Sequence, residues 1–405
     1  MKKVVIPDYI YTPSGVLKNH AVLIHDGIIE QIALKSRVLK ENKDAEVLFY
    51  PKNSLLFPGL INAHVHIEFS ANKTQLSYGD FISWLYSVIE NREDLIAECD
   101  LSCMTRAIDG MLKSGITTFG AISSHGMDLD ACLLSKQNVV FFNELIGSQA
   151  GMADVLFQDF MQRLKESKRR QRRGFYPAVA IHSPYSVHPI LIEKALDVAK
   201  KEGLCVTAHF MESVAEREWL DHAKGDFARF FAELLKQESP VSSSMEFLHR
   251  FRGVKTLFAH VVKASDEEYA FLKENGHAIA HCPISNRLLG NGKLDLAKVD
   301  GMDMEWLLAT DGLSSNYGLD LWEEMKVALF MHSEMPLHDL AKKLLDSVTI
   351  NAAKALGLKK GVLQEGYDAD MLVIQLENSP VEELPLHLIL HRYDIVERYI
   401  LGERV

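Results

Sequence analysis

The chain has 405 residues, 47% hydrophobic and 24% charged, enough for a large buried core and two or three domains. Its formal charge of −11 argues against a general nucleic-acid binder, which presents a basic face. No stretch approaches the roughly 18 apolar residues needed to span a bilayer, and the opening MKKVVIPDYIY breaks at Pro7 and Asp8 where a signal peptide would need a continuous apolar run. The cysteines at 99, 103, 132, 205 and 282 are scattered and odd in number, without a CxxC framework, so reduced thiols in a soluble cytoplasmic protein are expected.

In chain order, residues 1–50 read as short strands with turns: VVIPDYIYT, HAVLIHDG, IIEQIAL and AEVLFY. From about 57 to 355 the pattern changes to apolar strand-like runs alternating with amphipathic stretches. The strand candidates are LFPGLINAHVH, GITTFGAI, NVVFFNEL, YPAVAIHS, LCVTAHF, TLFAHVV, HAIAHCP and EWLLATDG. Helical segments such as DLSCMTRAIDGMLKS, HPILIEKALDVAKKEG and SDEEYAFLKENG lie between them. The basic run KESKRRQRR at 165–173 reads as a solvated helix face before a turn at Gly174, and the segments 123–127 (SSHGM) and 147–153 (GSQAGMA) read as mobile loops. GVLQEGYDADMLVIQL and YDIVERYILGERV return to strand-like alternation.

Eight strands with helices between them predict an α/β fold, a closed (β/α)₈ TIM barrel over 57–355. The β-rich ends, 1–56 plus 356–405, predict one small domain assembled from both termini. A doubly wound open sheet alternates similarly, but no GxGxxG follows an early strand.

Polar residues that carry chemistry collect at the strand ends, where such barrels keep their active sites. His64 and His66 in LINAHVH share one side of a strand and can reach one ion, although two surface histidines would read the same. His209 ends VTAHF, with Glu212 three residues on. His260 ends LFAH, and Asp311 ends LLATDG, where an Asp before Gly is also an ordinary turn former. Five such groups at strand ends converge on one mouth.

These stretches, with HCPISNRLLG, ATDGLSSNYGLDLWEEM and GVLQEGYDADMLVI, resemble the amidohydrolase superfamily, and within it the nucleoside deaminase and chlorohydrolase-like branch. The resemblance runs from about residue 57 to 374. It implies that the terminal strands form a β-sandwich beside the barrel and that one divalent metal per chain sits on His64, His66, His209 and Asp311. Strand four, YPAVAIHSPYS, has no lysine to bridge a second ion. Zinc is the default for such a donor set, with iron or manganese as alternatives. The ion would lower the pKa of water towards neutrality. Glu212 would then shuttle protons to a ring nitrogen, while His260 and Asp311 hold the water and stabilise growing charge.

On the substrate side the resemblance implies contacts from His182, Ser285 and Asn286, and from Trp84 and Glu93 in FISWLYSVIENRE. Trp84 also reads as core packing, and Glu93 as a charge on a solvated helix. Strand three, FFNELIGSQAG, lacks the arginine that relatives accepting an amino-acid tail present there. The branch most similar in these segments deaminates 6-aminodeoxyfutalosine, an adenine-type nucleoside of menaquinone biosynthesis. Methylthioadenosine, adenosine, guanine or cytosine deamination, or dechlorination of a triazine-like ring, would use the same metal site. A binuclear amidase is disfavoured by the missing lysine, and a non-catalytic barrel by the full set of candidate ligands. A small-molecule substrate, no nucleic-acid or membrane partner, and a homodimer complete the expectations.

Overall fold

The computed structural model describes residues 2–72, 76–91, 94–95, 98–380, 382–391 and 393–405. The strands of its N-terminal part are β1 Lys2–Ile6, β2 Tyr9–Thr12, β3 Gly15–Lys18, β4 His20–His25, β5 Ile28–Leu34, β6 Glu46–Phe49 and β7 Ser54–Pro58. The middle supplies β8 Leu60–Val65, β9 Ile116–Ser123, β10 Asn138–Leu145, β11 Phe175–Ile181, β12 Val206–Phe210, β13 Thr256–His260, β14 Ala278–His281 and β15 Glu305–Leu308. The C-terminal part adds β16 Met371–Gln375, β17 Asp394–Ile400 and β18 Glu403–Arg404.

β8 to β15 form one parallel sheet in sequential order, each strand beside the next. The last strand returns to the first: the Asp311 amide donates to the His64 carbonyl (3.1 Å), and the Thr310 amide donates to Asn62 Oδ1 (3.1 Å). This closes the predicted barrel. Small apolar residues at alternate strand positions, among them Ala63, Ala178, Ala180, Ala259 and Ala280, fill its interior, as the two-residue period of a strand requires. Their neighbours, such as Phe141, Val179, Phe210 and Phe258, point outward beneath the helices.

The terminal strands make two further sheets, β5-β4-β1-β6 and β18-β17-β16-β7-β2-β3. Val5, Val22, Ile24, Leu56, Met371 and Val373 form a shared apolar layer between them, giving the sandwich built from both ends of the chain. The GYDADMLVI segment ties this sandwich to the barrel. Buried Asp370 accepts from Asn138 Nδ2 at the start of β10 (2.7 Å), from Lys360 Nζ (2.7 Å) and from the Leu401 amide (2.6 Å). Breaking that knot would leave a buried charge unpaired.

The basic run lies at the end of helix Ala153–Arg169 and the turn after it. Arg169 and Arg170 both pair with Glu166, and Arg173 reaches Asp368 (2.9 Å) before Gly174 turns with φ 88°. No helix among the described residues is long and apolar enough to cross a membrane. The five cysteines are free.

Candidate active site

The predicted site residues meet at the C-terminal mouth of the barrel because each ends a strand or follows one. His64 lies in β8 where pairing with β9 slips register between Asn62 and Val65, and such an irregularity re-aims side chains. The backbone is strained at this rim. Met211 (φ 49°), His260 (φ 71°), Val261 (φ 54°) and Asp311 (φ 58°) all adopt left-handed conformations without being glycine. Each costs on the order of 1–3 kcal/mol and persists only where its surroundings fix it. Here they do: the Met211 and Glu212 amides both donate to the buried Glu216 carboxylate (3.0 and 2.8 Å), and the Val261 amide donates to the Phe210 carbonyl (2.9 Å). Gly312 is required for a related reason, since a Cβ there would meet His66 Cβ at 2.9 Å.

Four imidazoles and one carboxylate converge. His66 Nε2 lies 3.3 Å from His209 Nε2 and 3.5 Å from Asp311 Oδ1. His64 Nε2 is 3.8 Å from the same oxygen. His64, His209 and His260 form one set of mutually close donors, and His64, His66 and Asp311 another. Burial, reinforced by the neighbouring imidazoles, holds His64 and His209 well below the ordinary histidine range, so both are neutral and have lone pairs to offer. His209 Nδ1 donates to the His182 carbonyl (2.8 Å), which leaves Nε2 as the free acceptor nitrogen. His64 is fully buried, and neither ring nitrogen has a hydrogen-bond partner. A buried imidazole orphaned at both nitrogens is costly unless something else satisfies it. The donor set, nitrogen-rich with one carboxylate, fits a divalent metal ion.

Asp311 is held as an anion. Burial opposes its ionisation, but His66, His260 and His64, with the Ser285 hydroxyl, outweigh that and keep its carboxyl below the usual range. Ser285 and Ser315 both donate to Oδ2 (2.8 Å each), and the Gly312 amide donates to Oδ1 (2.8 Å). Glu212 is the opposite case. Burial first, then the Asp311 charge, push its carboxyl well above the ordinary value, against the stabilising Asn291 amide that donates to Oε1 (3.0 Å). Its Oε2 stands 3.7 Å from His260 Nε2. His260 Nδ1 in turn donates to Asn286 Oδ1 (2.9 Å), which turns Nε2 towards Glu212 and Asp311. One mouth therefore holds a metal-competent cluster, a carboxyl inclined to keep its proton and an oriented imidazole.

This mouth opens into a cavity of about 470 Å³. Trp84 lines it from helix Phe81–Glu90, with its indole nitrogen fixed on the Ser314 carbonyl (2.8 Å), and Phe69, Phe81, Leu85 and Val88 share its apolar wall. His182, lowered to about 4 by burial, faces the cavity with Nδ1 held by Ser186 Oγ (2.6 Å). Glu93 lies outside the described residues. Ser285 and Asn286 are fully buried and do not line the cavity; they stand behind Asp311 and His260. The SSHGM loop, expected to be mobile, is stapled instead. The buried Glu68 carboxylate accepts the backbone amides of Ser124 (2.8 Å), His125 (3.0 Å) and Met127 (2.9 Å). Sequence reasoning also missed Glu216 and Asn291, and it missed Glu144 and Arg163 on the cavity wall.

The Amidohydrolase family model matches residues 55–400. The chain is 48% identical to an aminodeoxyfutalosine deaminase of a Nitratiruptor species over 99% of this chain and 98% of that one. It is 34% identical to an adenosine deaminase of Helicobacter pylori over 96% and 95% of the two chains. The crystal structure of Helicobacter pylori aminofutalosine deaminase in complex with methylthio-coformycin superposes with a TM-score of 0.93 at 32% identity, covering both chains fully.

Proposed function

The chain belongs to the amidohydrolase family, and from that premise we propose that it is a metal-dependent hydrolytic deaminase of an adenine-type nucleoside, 6-aminodeoxyfutalosine in menaquinone biosynthesis. The observation that carries the chemistry is the placement of Glu212, a carboxyl pushed towards its protonated form, 3.7 Å from an oriented His260 at a metal-competent cluster. The whole-chain identity to the aminodeoxyfutalosine deaminase carries the choice of substrate.

His64, His66, His209 and Asp311 would hold the ion, with zinc favoured by the donor set. A divalent ion supplies Lewis-acid activation of water near neutral pH. The protein supplies the rest. An amino-bearing ring carbon resists attack until the adjacent ring nitrogen gains a proton, and Glu212 delivers that proton. Its raised affinity for a proton suits Glu212 to take one from the attacking water and pass it to the ring nitrogen, the water's second proton leaving with the departing ammonia. His260 offers Nε2 to the reacting centre because Asn286 fixes its Nδ1–H. Asn286 and Ser285 are thus positioning residues in this reading, and His182, Trp84 and Glu93 belong to the substrate side. Residues 57–355 would be the catalytic unit and 1–56 with 356–405 the sandwich unit.

The test is ammonia release from 6-aminodeoxyfutalosine, methylthioadenosine, S-adenosylhomocysteine, adenosine and guanine, with metal analysis of the same preparation. Turnover of the first compound well above the others is expected. Silence across the panel with about one metal per chain would refute the deaminase reading, because a site built to activate water would then be loaded but idle.

A further inference from the structure

Glu144 is the penultimate residue of β10, one position before the strand ends. It is only 1% exposed, yet it lines the same cavity as Glu212 and His182. Its Oε2 accepts from Ser124 Oγ (2.5 Å), while Oε1 is buried without any hydrogen-bond partner. A carboxylate oxygen left bare in a low-dielectric pocket is costly, and structures rarely keep one without a use. The position is rigidly built. The Glu144 carbonyl accepts from Arg163 (2.8 Å), and Ser124 sits on the loop stapled by Glu68.

The acceptor has a companion. Donor atoms of Glu144, His182 and His209 lie within 4.8 Å of one another. That spacing lets one hydroxyl sit at hydrogen-bond distance from both the Glu144 carboxylate and the neutral His182 ring. A second metal ion is the poorer fit. His209 has already spent Nδ1 on the His182 carbonyl, and its Nε2 belongs to the cluster with His66. Only two free ligands would remain.

The geometry points to Glu144 as a specificity-determining residue that accepts a hydrogen bond from a hydroxyl of the substrate's sugar, beside His182. The inference rests on the deaminase reading above.

The test is a cycle of enzyme and substrate deletions on the metal-loaded full chain. Wild type, Glu144→Leu and Glu144→Gln are assayed on adenosine and on its 2′-, 3′- and 5′-deoxy analogues, with metal content measured alongside. Wild type is expected to lose about 10- to 100-fold in kcat/KM, mostly through KM, when one particular hydroxyl is removed. Glu144→Leu should suffer that loss on adenosine and then be indifferent to the same deletion. Glu144→Gln should fall between, since an amide nitrogen can still meet the hydroxyl oxygen. Equal losses on all four nucleosides would mean a merely structural role and overturn the assignment, as would a wild type indifferent to every single deletion. Metal content falling from about two per chain to one in the variants would overturn it in favour of a second ion. If none of these four nucleosides is turned over, the deaminase reading stands or falls on 6-aminodeoxyfutalosine in the panel above. The same cycle is then read from calorimetric binding of adenosine and its analogues, where absence of coupling refutes the role of Glu144.

Discussion

Glu212→Gln is the perturbation that bears most directly on the mechanism. The substitution keeps the shape of the side chain and its acceptor for Asn291 Nδ2, so the Oε1 bond at 3.0 Å can survive. What it removes is the ionisable carboxyl whose Oε2 stands 3.7 Å from His260 Nε2. Among the described residues the carboxylate beside it, Asp311, cannot replace it. Asp311 is held as an anion by the surrounding imidazoles and by the Ser285 and Ser315 hydroxyls, so it has no proton to give. Glu144 clusters instead with His182, His209 and Ser124. With no substitute acid, the loss should lie at the upper end for general acid–base catalysis, about 10³- to 10⁴-fold in kcat, or about 4–5 kcal/mol. Glu212 belongs to neither cluster around His64, so metal stoichiometry should not change. The assay is steady-state ammonia release at saturating substrate, paired with elemental analysis and a thermal melt. A variant that keeps more than about a tenth of wild-type kcat would refute the assignment of Glu212 as the proton carrier, since one decade is less than any positioned acid contributes. Loss of the metal together with activity would show that the carboxyl acts on the ion's site instead.

Replacing His209 with Ala should lower metal stoichiometry, and a chelator should lower the melting temperature of wild type far more than that of the variant, since binding to the native state stabilises by about 4 kcal/mol at a thousandfold excess over Kd. An unchanged metal content would remove His209 from the ligand set. Glu216 is raised to about 7 by burial, above an ordinary value of 4.5. A raised carboxyl contributes stability that is fully present below pH 4.5 and lost as pH rises through 7, up to about 3 kcal/mol. The stability difference between wild type and Glu216→Gln should therefore shrink between those pH values by chemical denaturation; a flat difference would contradict it. Glu68→Ala should release the amides of Ser124, His125 and Met127, raising KM and speeding amide hydrogen exchange in that loop; exchange rates matching wild type would mean the staple is dispensable.

Much of the barrel and its metal cluster was legible because the relevant signals are local. An apolar run followed by His64, His209, His260 or Asp311 announces a strand end, and barrels put chemistry at strand ends. The sandwich was legible as β-rich runs but not as a pairing. That β2, β7 and β16 lie side by side depends on contacts between residues 9–12, 54–58 and 371–375, which no window of sequence contains. The partners of the catalytic groups escaped for the same reason: Asn291 meets Glu212 across 79 positions and Glu68 meets His125 across 57.

Ser285, Asn286 and Glu144 show where motif reading reaches its limit. HCPISN announces a constrained segment, and the constraint is real, but a motif does not say which layer its side chains occupy. Ser285 and Asn286 turn away from the cavity because the acceptor Asp311 Oδ2 and the donor His260 Nδ1 lie behind the reacting centre. Their constraint is to orient other groups. Glu144 carries no motif, and within FFNELIG it reads as a charge that happens to close a strand. Applying the strand-end rule to every polar residue in the barrel would have found it alongside His64 and His209. What the rule lacks is energetics. Burial without a partner, joined to a place on the cavity wall for Glu144 Oε1 or in the donor cluster for both nitrogens of His64, marks a group open to a ligand. That mark exists only once the chain has folded.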